Sequence, residues 1–297
     1  MSLPARFRRS RLLIVGCGDV GSRLLPRVSR HQTVRVLTSS PARCEALRAA
    51  GVTPLVGNLD APASLKRLAA LASRVLMLAP PPGQGAGDPR TRALVQALRR
   101  GRAVRRLVYA STTGVYGDAG GAWVDETRAC APQTDRARRR VAAEQAWRTA
   151  GRAVGWAVSI LRVPGIYAAD REGGPAARVR RGAPVLRPED DVYTNHIHAE
   201  DLARACGLAL FRGRPQRVYQ VCDDSQRRMG EHFELVADAC GLPRPPRISR
   251  AQAVAELSPV QMSFLSESRR LTNVRMKKEL RLQLLYPDVL DALKAGR

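Results

Sequence analysis

Short, nearly unbroken apolar runs rich in β-branched residues recur at Leu12 to Val15, Val34 to Leu37, Val52 to Val56, Val75 to Ala79, Val104 to Ala110 and Trp156 to Leu161. Helix-period stretches separate them. Runs of this length without polar alternation predict strands covered on both faces. Strand and helix in regular turn predict βαβ units, and the right-handed crossover makes an α/β, doubly wound parallel sheet the simplest assembly. After Leu161 the regularity loosens. A glycine- and proline-rich stretch from Ala168 to Pro184 precedes a helix over Glu200 to Leu210, a strand over Val218 to Val221 and a helix over Glu231 to Cys240. The pattern divides the chain into a core over residues 10–162, completed by 198–223, and a smaller lobe from 163–197 and 224–297.

Composition narrows the class. At 297 residues and 44% hydrophobic content the chain supports a sizeable core. No stretch approaches the roughly 18 apolar residues that span a bilayer. Met1 to Arg11 is basic but leads into no signal-peptide core, so the cytoplasm is the expected compartment. Cys17, Cys44, Cys130, Cys206, Cys222 and Cys240 form no CxxC pair, which argues against a zinc ribbon or a stapled scaffold. Cys17 alone lies where a helix N-terminus would lower a thiol pKa, with simple packing as the alternative. The formal charge of +24 invites a nucleic-acid reading, yet the arginines are dispersed and aromatics make up 4%, leaving few stacking platforms. No specific nucleic-acid function is expected.

The first run breaks into GCGDVG, Gly16 to Gly21, followed by a helical pattern. A buried strand that turns at glycine into a helix focuses backbone N–H groups and a positive helix end on one point, where a pyrophosphate sits. In this Rossmann fingerprint Gly16 permits the turn, Gly18 gives the cofactor room, and Gly21 lets helix and strand approach; Asp19 and Val20 fall within the same turn. An NAD site carries an acidic residue about 20 positions further on. Here the stretch is LTSSPAR, so Ser39, Ser40 and Arg43 favour a 2′-phosphate and NADP over NAD, although Ser-Ser-Pro also reads as a helix start.

The segment from Leu107 to Thr127, LVYASTTGVYGDAGGAWVDET, resembles the extended short-chain dehydrogenases/reductases, in particular their atypical epimerase/dehydratase-like branch. LRVPGIYAADR, NHIHAEDLARA, VYQVCDD and LTNVRMKKEL follow in the family's order. The resemblance implies an NAD(P)-dependent oxidoreductase or epimerase/dehydratase acting on a carbonyl or nucleotide-linked sugar. It allows a homodimer through helices of the sheet face. It places cofactor contacts at Asn58 and Leu59, at Ala79, Pro80 and Pro81 after the fourth strand, at Ser111, and at Pro164. Thr112 falls at the position that hydrogen-bonds the substrate oxygen; satisfying a strand end is the competing role. Asp60 either shares the adenine segment or caps the next helix.

The family's Tyr-x-x-x-Lys pair is missing. Arg136 stands at the tyrosine position and Arg140 at the lysine position. A guanidinium stays protonated and cannot replace a phenol as proton donor, whereas Arg140 can still hold a ribose or pyrophosphate. Arg138 and Arg139 read equally as a solvated face. A proton must then come from Tyr116, Tyr167 or water. Arg162, Arg171, Arg178 and Arg180 are candidates to meet an anionic substrate, with a solvated basic surface as the alternative. His196 and His198 form an HxH pair, but the matching family segment is a junction between lobes, with Asp201 opening a helix, so no metal is expected. The rival function is a non-catalytic NADP sensor that reports to a protein partner.

Overall fold

The computed structural model describes residues 10–171 and 174–295. Most of the basic start at Met1 to Arg11, and Glu172 and Gly173 of the Ala168 to Pro184 stretch, lie outside the described residues. The strands β1 (Arg11–Val15), β2 (Thr33–Thr38), β3 (Thr53–Val56), β4 (Arg74–Met77), β5 (Arg106–Thr112), β6 (Ala157–Val163) and β7 (Arg217–Gln220) form one sheet. All its pairings are parallel and the order is 7-6-5-4-1-2-3. The chain runs outward from β1 to β3, then returns to start again at β4 on the other side of β1. That reversal opens a crevice beyond the carboxyl ends of β1 and β4, where open α/β sheets bind ligands.

Helices cover both faces, which is why the central strands carry no polar alternation. Helix α1 (Asp19–Val28) packs Leu24, Leu25 and Val28 on one face. Helix α2 (Cys44–Ala49) adds Leu47. The other face receives α3 (Pro89–Arg99) through Leu94 and Leu98, and α4 (Asp135–Val154) through Ala143 and Trp147. Thr134 caps α4 by accepting from the Ala137 N–H at 3.2 Å, and Gly155 closes it at φ +74°. Residues Pro62–Ala70 form a 3-10 helix in which Leu65 and Leu68 share the buried side, as its three-residue period requires.

The remaining α-helices are α5 (Pro175–Arg180), α6 (Ala199–Arg212), α7 (Met229–Cys240), α8 (Arg250–Glu256), α9 (Pro259–Leu265) and α10 (Val289–Ala295). Helix α6 returns to the sheet beside α1, while α5, α7, α8 and α9 surround a separate small core containing Tyr167, Val179, Leu186, Phe233, Val236 and Leu265. The lobes are joined where His196–His198 pairs in parallel with Gly165–Tyr167. At this junction His198 Nδ1 accepts from the Glu200 N–H at 3.2 Å, and His196 stacks on His232 with centroids 4.0 Å apart. Asp201, fully buried, accepts from the Leu285 and Tyr286 N–H groups at 2.9 Å. Among the described residues no helix is long and apolar enough to cross a membrane.

Candidate functional site

The crevice begins at the glycine turn. Gly16 takes φ +85°, and a Cβ there would lie 2.6 Å from the Ala79 backbone nitrogen, so the ends of β1 and β4 meet only because this residue is glycine. Gly18 is the N-cap of α1 without a side-chain cap, and a Cβ on it would meet nothing within 4 Å. A Cβ on Gly21 would lie 3.0 Å from Cys17 Sγ and 3.4 Å from Leu78, and Val20 packs partly against the same core. An uncapped N-terminus opening on free space fits a phosphate group of a dinucleotide. Asp19 is held by Arg23 at 2.8 Å and by Arg171 at 2.7 Å, and Arg23 also pairs with Asp170 at 2.6 Å, so α1 is tied to the loop after Tyr167. Burial raises the Cys17 thiol pKa rather than lowering it, which corrects the reactive-thiol reading in favour of packing.

Along the ribose end, Ser39 is exposed, Ser40 half-buried, and the exposed Arg43 bends back so that Nη2 donates to the Cys17 carbonyl at 2.6 Å. The Asn58 amide oxygen accepts from the Asp60 N–H at 2.9 Å, and Leu59 packs toward the sheet. Asp60 caps nothing. It grips Arg90 through two bonds of 2.8 and 2.6 Å, and Arg90 in turn donates to the Pro80 carbonyl at 3.2 Å. That grip holds the Asp60 carboxyl below its ordinary range and steadies the Ala79, Pro80, Pro81 exit of β4.

At the reaction end, Thr112 closes β5, and its Oγ1 accepts from the Gly114 N–H at 3.3 Å, leaving its proton free to donate. Both roles foreseen for this hydroxyl are therefore geometrically open. Arg140 Nη1 donates to the Ala110 carbonyl at 2.7 Å and to the Tyr109 hydroxyl at 3.1 Å, which brings α4 against the end of β5. Arg136 is exposed, with its guanidinium 4.8 Å above the Phe264 ring. A cavity of about 560 Å³ lies between the Pro80 to Gly83 loop, the first turns of α4 and helix α9. Pro164 bridges β6 and the Gly165–Tyr167 segment.

Several sequence expectations are corrected by burial. Tyr116 has no exposed surface, its hydroxyl accepts from Gln220 Nε2 at 2.9 Å, and burial raises its pKa; it cannot pass a proton to a ligand. Tyr167 is equally buried, with its pKa raised by desolvation. Arg139 is buried and donates to the Gly85 carbonyl at 3.1 Å, so only Arg138 belongs to a solvated face. The four arginines nominated for an anionic substrate are separately engaged or outside the cavity. Arg162 is buried against Glu144 at 2.8 Å, Arg171 pairs with Asp19, Arg178 lies over Phe233, and Arg180 lines a different, small pocket. Ser111 is also turned inward, its Oγ donating to Glu144 at 2.5 Å.

Sequence reading missed Glu144 and the far wall formed by Pro259, Val260 and Ser263. For Glu144 a signal existed: it stands four residues after Arg140, an acidic residue among alanines on the helix face that carries Trp147. For the far wall there was none, because α9 reaches the cavity only through the packing of the second lobe.

Residues 12–222 match the family model described as the NAD-dependent epimerase/dehydratase family. The chain is 28% identical over 142 residues to protein YeeZ of Escherichia coli K12, and the match spans about half of each (48%). A conserved protein of unknown function from Silicibacter pomeroyi is 32% identical, with a TM-score of 0.81 over 97% of this chain and 99% of that one. UDP-glucose 4-epimerase from Thermotoga maritima, solved with UDP-glucose, shares the fold at a TM-score of 0.77 and 18% identity over 96% of both chains. The glycine turn, the strand order and these matches agree: the chain belongs to the NAD-dependent epimerase/dehydratase family.

Proposed function

We propose that the chain binds NADP(H) across the glycine turn and acts as an oxidoreductase or epimerase/dehydratase-like enzyme on a small carbonyl compound or nucleotide-linked sugar. The observation that carries this reading is the uncapped N-terminus of α1, opening on free space at Gly18 with Arg43 beside it. Gly16, Gly18, Asp19, Val20 and Gly21 form the pyrophosphate turn, Ser39, Ser40 and Arg43 the 2′-phosphate end, Asn58 and Leu59 the adenine side, and Ala79, Pro80, Pro81, Arg140 and Pro164 the nicotinamide side, with Ser111 backing it. When bound, the nicotinamide exchanges a hydride with substrate. Thr112 orients the substrate oxygen by donating its free proton. Arg140 holds a sugar hydroxyl or phosphate oxygen beside β5. With both tyrosines buried, water entering the cavity is the remaining proton source. The six free cysteines fit a reducing compartment such as the cytoplasm.

A second reading, a dinucleotide sensor without turnover, is favoured by one observation: arginines occupy both positions of the usual catalytic pair. Fluorescence titration of nucleotide-stripped protein with NADPH and NADH in about 150 mM salt tests the binding claim. NADPH is expected to bind more tightly, and Arg43→Ala to weaken it about tenfold while sparing NADH. Gly18→Asp is the sharper probe. Gly18 has φ −81° and open space, so aspartate fits and caps α1, leaving the melting temperature unchanged or higher. Its carboxylate then occupies the helix end and excludes the pyrophosphate, and binding of both cofactors is lost. Failure of the parent protein to bind either cofactor rejects the proposal; binding with no turnover on a carbonyl panel selects the sensor.

A further inference from the structure

We infer that the cavity between the Pro80 to Gly83 loop, the first turns of α4 and α9 receives an anionic group of the substrate, a carboxylate or a phosphate, on the guanidinium of Arg136. The inference rests on the catalytic reading for its substrate and on the cavity's own charges for its chemistry.

Arg136, Arg139 and Arg140 all line this cavity, and none of them has a carboxylate partner among the described residues. Arg139 and Arg140 are anchored by the neutral carbonyls of Gly85 and Ala110, which fix the guanidinium groups without cancelling their charge. The single acidic side chain on the lining, Asp135, is already paired with Arg138 at 2.7 Å. The Pro80 to Gly83 loop and the α9 residues Pro259, Val260 and Ser263 bring no charge. The cavity wall therefore holds three uncompensated cations beside proline and valine side chains that keep the effective dielectric below that of water, a setting in which an entering anion is strongly attracted.

Within this set Arg136 is the free donor. Its described contact is the Phe264 ring, over which the planar guanidinium lies at 4.8 Å. A cation–π contact of this kind anchors the group while leaving N–H donors available to a carboxylate or a phosphate. The first turn of α4, capped at Thr134, adds the positive end of a 20-residue helix to the same cavity. Arg140 stands one helical turn further along α4 and touches the carbonyl two residues before Thr112, which ties this cavity to the end of β5 that carries the hydroxyl. The residue that departs from the family pattern at the proton-donor position thus selects the substrate instead: a carbonyl compound bearing an acid group.

The test is calorimetric titration of the full chain in about 150 mM salt with pyruvate, with inorganic phosphate and with neutral methyl pyruvate, without cofactor and again with saturating NADPH. At least one anion is expected to bind under both conditions and the ester not at all. Whichever of pyruvate and phosphate binds more tightly identifies the acid class. Arg136→Ala is expected to weaken anion binding about tenfold or more, and Arg136→Lys to recover part of it. Val260→Asp, which sets a counter-charge on the opposite wall, is expected to weaken it as well. Equal binding of the ester, no effect of Arg136→Ala and Val260→Asp, or loss of the anion under saturating NADPH would each overturn the inference, the last by assigning the cations to the cofactor. Because the first arm is cofactor-free, failure of the NADP reading leaves the anion result legible.

Discussion

Replacing Glu144 with alanine is expected to destabilise the fold by about 3–5 kcal/mol, the cost of stranding a buried charge. Glu144 and Arg162 are each only 4% exposed at the side chain and joined by two bonds of 3.2 and 2.8 Å. Ser111 donates to the same carboxylate at 2.5 Å, and Arg162 also reaches Cys130 Sγ at 3.0 Å and lies 4.6 Å over the Tyr116 ring. Removing the carboxylate leaves a guanidinium that cannot deprotonate with no anion in a dry interior. Thermal unfolding should show a drop on the order of 10 °C. The double variant Glu144→Leu with Arg162→Met should recover most of it, because an apolar pair of similar size needs no compensation. A single-variant loss under about 1 kcal/mol, or a double variant as poor as the single, would show that the pair is not the clamp joining α4 to β6.

That clamp also explains why the arginines were the least legible part of the chain. Strand positions are legible because burial on both faces is written as an unbroken apolar run: Val34 to Leu37 lies inside Thr33–Thr38, and Val218 to Val221 overlaps Arg217–Gln220. The glycine turn is legible for the same kind of local reason, since a left-handed Gly16 pressed against Ala79 admits no other residue. An arginine's task is set by what the fold brings to it. Arg162 sits in a strand and looks available, yet a carboxylate 18 residues earlier consumes it. Arg136 reads only as a residue at the tyrosine position that cannot donate a proton, yet Phe264 from the other lobe turns it into a cavity wall. Asp60, placed where a helix cap belongs, is taken by Arg90 because the following segment begins at Pro62 as a 3-10 turn without a side-chain cap.

The departure from the Tyr-x-x-x-Lys pattern gains weight from the same geometry. A lost tyrosine is tolerable if another phenol reaches the cavity, but Tyr116 is locked to Gln220 beneath β5 and Tyr167 is buried at the lobe junction. On the proposed reading the chain keeps the cofactor half of the family's site and sets arginines in place of the acid-base half. Such a surface binds and orients anions well and donates protons poorly.

Asp223→Asn is expected to stabilise the protein at neutral and higher pH, by up to about 4 kcal/mol. Asp223 is 3% exposed just beyond β7; its Oδ1 accepts from Ser225, while Oδ2 has no hydrogen-bond partner among the described residues. Burial, reinforced by the nearby Asp288, pushes its pKa up to about 7. An unfolded aspartate titrates near 3.9, so between roughly pH 4 and 7 the folded state holds a proton that the unfolded state has released. Stability from this group is present below pH 4 and lost as pH rises through 7. His196 and His232 act in the opposite sense. Burial keeps both neutral, with His196 lowered to about 4, so the unfolded state binds their protons below about pH 6.5 and stability rises with pH there. The parent curve alone therefore mixes two slopes. The difference in urea-unfolding free energy between Asp223→Asn and the parent removes the histidine contribution, and it should grow from near its minimum at pH 4 to a plateau above pH 7. A difference independent of pH would mean that Asp223 is ionised in the folded state across this range, and that the lobe junction carries a charge rather than a proton.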